Sequence, residues 1–121
     1  MKLTLKTITD PNFINAFSKL CQQPVALADS VRLARSARII DRANQDFSAA
    51  RLRFFQAHGR QEGATWVLDP ADTPVVERHN SEMAELLGME IELPIPSPIA
   101  LTPECKLTAL EILPLLDLVE G

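Results

Sequence analysis

Several residue types that carry chemistry are scarce in this chain of 121 residues. It has two cysteines, two histidines, one tryptophan and no tyrosine. Cys21 and Cys105 lie far apart, without the short spacing of a zinc or redox motif, so we expect both to be reduced thiols in the core. The glycine-rich, HExxH and GxSxG patterns of nucleotide, metalloprotease and hydrolase sites do not occur. We therefore predict no enzyme, no catalytic residues and no cofactor.

A metal site has one weak candidate. His79 and Glu82 stand three residues apart in "HNSE", which suits two ligands on one face of a helix. No third ligand stands near them in the sequence, and a structural zinc site generally uses four. We therefore predict no bound metal.

Long hydrophobic runs are also missing. No apolar stretch approaches the length of a membrane span, and "MKLTLKTITD" lacks the apolar run of a secretory signal. Apolar residues make up 46% of the chain and charged residues 23%, which is typical of a globular protein and not of a disordered one. We expect one domain over residues 1–121, in the cytoplasm and without membrane contact.

Hydrophobic periodicity and helix-capping residues predict seven elements. They are a strand within 2–8, a helix at 11–22, a long helix at 26–57, a strand at 64–68, a helix from Pro74 to Leu87, a strand at 89–95, and a helical piece after Thr108 that Pro114 kinks. The predicted fold is α+β and mainly helical. One long central helix and two or three shorter helices pack on a small sheet of two to four strands.

The long helix is predicted to carry two different faces. At 100° per residue, an apolar seam contains Ile39, Ile40, Ala43, Phe47, Ala50 and Phe54. From this seam we predict that Phe47 and Phe54 are core residues. Four arginines cluster on another face and are called the arginine stripe: Arg35, Arg38, Arg42 and Arg53. Such a helix would be about 45 Å long, more than a compact domain of this size requires. Part of its flank is therefore expected to be covered by a second copy of the chain.

Charge is distributed unevenly along the chain. Residues 30–60 carry seven arginines and two aspartates, whereas residues 61–121 carry twelve acids and two cations. We expect the arginine stripe to face the acids of residues 61–121, in the same chain or in a second copy. The alternative is a small nucleic-acid-associated regulator that uses the arginines of residues 32–53 on phosphates. A sequence pI near 5.1 and the scarcity of aromatics for base stacking favour the structural interpretation.

Two segments resemble small proteins of unknown function that tailed phages and prophages encode. One is the spacing of Phe47, Ala50, Arg51, Phe55 and Gly59 in "FSAARLRFFQAHG", and the other is "ELLGMEIELPI". The resemblance implies a bacterial host cell and no catalytic residues. It favours an interaction or assembly protein that binds itself or another phage or bacterial protein through its long helix. The candidate interaction residues are the arginine stripe and, in the apolar seam, Phe47 and Phe54.

Overall fold

A computed structural model describes residues 1–120 and confirms the α+β class. The strands are β1 (Lys2–Thr4), β2 (Arg60–Glu62), β3 (Thr65–Val67), β4 (Glu90–Glu92), β5 (Ile99–Ala100) and β6 (Val119–Glu120). The helices are α1 (Leu5–Thr9), α2 (Pro11–Leu20), α3 (Leu27–His58), α4 (Thr73–Leu87) and α5 (Ala109–Ile112), which continues into a 3₁₀ turn at Leu113–Leu115.

The long helix is continuous, as the sequence predicts. α3 has 32 residues, which corresponds to about 48 Å, and contains neither proline nor glycine. Pro24 lies before its first turn, and the chain leaves the helix at Gly59, whose backbone nitrogen donates to the Phe55 carbonyl at 2.7 Å. The helix therefore ends where the sequence predicts it to end.

The beginning of the chain corrects the predicted strand at 2–8. Only Lys2–Thr4 is extended, and α1 follows at once. The Thr4 hydroxyl caps α1 by accepting from the backbone nitrogen of Thr7 at 3.3 Å. Leu5 and Ile8 lie three residues apart, which places both on one face of α1, and both are buried. The predicted strand followed from the alternation of apolar and polar residues over positions 2–8, and that alternation gives no sign of a helix cap at Thr4.

α2 begins where the sequence predicts, but the buried face of this helix is narrower than expected. Asp10 accepts from the Asn12 backbone nitrogen at 2.9 Å, and Pro11 is the first helical residue. Ile14 and Cys21 lie at the exposed margin of the helix. The prediction of a core thiol is therefore wrong for Cys21, while Cys105 is half-buried.

The strands form three separate pairs instead of one sheet. β1 pairs with β4 and β2 pairs with β3, both antiparallel, while β5 pairs with β6 in parallel. The β2–β3 hairpin turns at Gly63, whose φ of 61° favours glycine. β2 has the sequence "RQE", all of it exposed, so no hydrophobic alternation could have predicted it.

The core lies around the first half of α3. Its buried apolar residues come from α1, α2, α3, the segment around β4 and β5, and the C-terminal turns: Leu5, Ile8, Phe13, Ala16, Phe17, Leu20, Leu33, Ile40, Leu93, Ile95, Ile99, Leu115 and Leu118. Phe47 is only partly buried at the edge of this core, and Phe54 is half-buried outside it. The prediction that both are core residues is therefore corrected. The seam of α3 extends beyond the elements that cover it.

Candidate functional site

An open apolar groove, called the α3 groove, runs along the middle of α3. It has a volume of about 730 Å³. Apolar side chains from α1, α3, α4 and the β4 region line it: Leu5, Ile39, Ala43, Phe47, Ala50, Leu86, Met89 and Ile91. Arg38, Arg42 and Asp46 complete the lining. The groove is thus an apolar surface with two cationic groups beside it.

The groove exists because the seam of α3 continues after the core has ended. Ile40 is the last buried residue of the helix, while Ile39 and Phe47 are partly buried at the edge of the core. Across the groove, Met89 follows the end of α4 and remains 53% exposed. A partner that covered this side chain would remove apolar surface from water.

The arginine stripe is exposed, and its partners differ from those predicted. Arg42 Nε lies 3.4 Å from Asp46 Oδ1 on the same helix, and Arg53 donates to the Ala49 carbonyl. Among residues 1–120, Arg35 and Arg38 form no ion pair, and no acid after residue 60 pairs with the stripe. Within the described chain, the predicted pairing of the stripe with the acids that follow residue 60 is therefore not observed, and pairing with a second copy stays a prediction.

A small aromatic cluster connects the end of α3 to α4. The Phe54 ring centroid lies 4.6 Å from that of His58 and 5.5 Å from that of His79. His79 Nε2 is buried there with no hydrogen-bond partner. Glu82 instead accepts from Arg78 Nε at 3.2 Å. The two side chains considered as metal ligands line the same small cavity but make different contacts. Residues 1–120 contain no cluster of three or more His, Cys, Asp or Glu suited to a metal ion.

A second exposed apolar surface was missed by the sequence reasoning. Leu110, Leu113 and Leu116 are 81%, 61% and 60% exposed, and we call them the leucine ridge. Their spacing of three residues places them near one another, because residues three apart are neighbours on the surface of helical segments. The recurrence of leucine every third residue in "LEILPLL" is the sequence feature that could have predicted this surface.

The leucine ridge is attached to the body of the protein by a charged contact. Thr108 and Glu111 form the capping box that the sequence predicts, and Lys19 from α2 pairs with Glu111. The Lys19 ammonium and the Thr108 hydrogen bonds lower the pKa of Glu111 to about 2.

On the far side of α2, desolvation raises the pKa of the Cys21 thiol, although the residue as a whole is exposed.

Comparisons of the chain with protein-family models, curated proteins and solved structures found no match. The resemblance to phage-encoded proteins therefore stays a prediction from the two sequence segments. Within residues 1–120, no helix combines the length and the apolar character that crossing a membrane requires.

Proposed function

We propose that this protein is a non-enzymatic interaction or assembly protein of the phage or prophage type. It works in the cytoplasm of a bacterial host cell and binds a protein surface, either a second copy or another phage or bacterial protein. The observation that carries this proposal is the α3 groove, an apolar channel on the longest element of the fold, with Arg38 and Arg42 in its lining.

The groove leaves apolar side chains such as Met89 exposed to water. Burying apolar surface contributes about 25 cal/mol per Å², so covering Met89 and its neighbours supplies a driving force for association. Arg38 and Arg42 favour an acidic partner and raise the rate at which the two molecules associate. Their contribution to the affinity is smaller. The chemistry that the site supports is recognition, since its lining holds three charged side chains and otherwise apolar ones.

A capture experiment with a groove variant tests this function. We expect immobilised wild-type protein to retain at least one protein from bacterial extract, or a tagged second copy of itself, that Met89→Glu does not retain. A carboxylate placed in the groove must lose hydration when a partner covers it, which opposes binding. Leu27→Glu is the matched control, because Leu27 is 83% exposed at the start of α3, outside the groove. Equal capture by all three proteins would refute the proposal.

A nucleic-acid regulator is the alternative, and the unpaired Arg35 and Arg38 favour it. We predict that wild-type protein is not retained on DNA or RNA at about 0.15 M salt, because the chain is acidic overall and few phosphate contacts are available. The measurement is a binding titration at several salt concentrations. Micromolar binding that weakens steeply with salt, and that disappears in the double variant Arg35→Glu and Arg38→Glu, would establish the alternative instead.

A further inference from the structure

We propose that the partner in the α3 groove is a second copy of this chain, which inserts its leucine ridge in a head-to-tail arrangement. This inference rests on the proposed function and names the occupant of the groove. The α3 groove is a concave apolar surface, and the leucine ridge is an exposed apolar surface elsewhere on the molecule. No residue of the ridge lines the groove of its own chain, so the two surfaces meet only between copies.

The dimensions of the two surfaces agree. The groove follows α3 from Arg38 to Ala50, which corresponds to about 18 Å of helix. The ridge extends from Leu110 to Leu116 across an α-helical and a 3₁₀ turn, which corresponds to about 9–12 Å. A groove of this length accommodates all three leucines together.

The charges also agree. Residues 109–120 contain three acids and no cation. Glu111 is held by Lys19 of its own chain, which leaves Asp117 and Glu120, both exposed, in the segment that follows the ridge. Arg38 on the groove has no ion pair within residues 1–120. An acidic segment docking beside an arginine supplies the pairing that the single chain does not contain.

Head-to-tail contact has a consequence for assembly. Each copy that fills the groove of its neighbour still presents an empty groove of its own. Such heterologous contacts close into a ring or extend into a filament, whereas an isologous dimer stops at two copies. The arrangement thus provides a route from one small domain to a larger assembly.

A mixing experiment with two variants tests the pairing. We expect the mass of the wild-type protein in sedimentation equilibrium to rise with concentration, up to about millimolar protein. Met89→Glu damages only the groove and Leu113→Glu damages only the ridge, and each is expected to weaken self-association by more than about tenfold. Mixed together, they are expected to form a heterodimer, because one retains its ridge and the other its groove.

The controls separate this inference from the proposed function. Leu27→Glu is expected to associate as the wild type does, and circular dichroism should show the same helix content in all variants. A wild type that remains monomeric at every concentration, a Leu113→Glu variant that still associates, or a mixture that stays monomeric would each overturn the ridge-in-groove pairing. None of these results would change which proteins from bacterial extract are retained by the wild type and by Met89→Glu, and that comparison tests the proposed function separately.

Discussion

Phe17→Ala is expected to lower the free energy of unfolding by about 3–5 kcal/mol. Phe17 is 4% exposed on α2 and lies against Phe13, with 5.8 Å between ring centroids. Removing its ring takes away buried apolar surface and leaves a gap that the surrounding helices only partly fill. Since a domain of this size is stable by about 5–15 kcal/mol, the loss is a large part of the total.

Urea titration of the wild type and two alanine variants measures this effect. The matched variant is Phe54→Ala, which removes the same ring from the half-buried end of α3 and is expected to cost less than about 2 kcal/mol. Equal losses for Phe17→Ala and Phe54→Ala would mean that the second half of α3 is buried as deeply as α2. Another part of the protein or a second molecule would then have to cover it.

Gly59→Ala is expected to lower the free energy of unfolding by about 1–3 kcal/mol. A methyl group at this position would overlap the Val67 carbonyl oxygen and would lie 2.7 Å from the Phe55 carbonyl oxygen. Both neighbours are backbone atoms, so relief requires the β2–β3 hairpin to move away from α3. The φ of −109° is ordinary, and the close approach alone requires glycine here.

Gly88→Ala is the control and is expected to have the opposite sign. At the end of α4 an added methyl group would meet only the Ala84 and Glu85 carbonyl oxygens, at 3.5 and 3.6 Å, in a backbone conformation that alanine adopts. Alanine there should raise the free energy of unfolding by about 0.4–1 kcal/mol, because it restricts the unfolded chain. Thermal unfolding of the two variants tests both signs. A tolerated Gly59→Ala would contradict the contact between the end of α3 and the hairpin.

The helices were predictable because their signals are local. Asp10 with Pro11, Thr108 with Glu111 and the uninterrupted span of α3 each act through backbone groups within a few residues. The errors concern features that hydrophobic alternation does not reveal. The Thr4 cap converts an apparent strand into α1, and β2 forms only because β3 lies beside it, so neither follows from hydrophobic alternation.

The candidate site was predictable only in part, because α3 is longer than the elements that cover its apolar seam. The sequence by itself determined the long helix, its apolar seam and its arginine stripe, since each depends on helical periodicity alone. Whether a seam residue is covered depends on which elements reach it, and periodicity carries no information about that. The tertiary structure decided that Ile40 is buried, that Phe47 borders a groove and that Phe54 lies beyond the core. It also decided that Leu115 points inward while Leu113 and Leu116 point outward, because only one side of the C-terminal turn packs against α2.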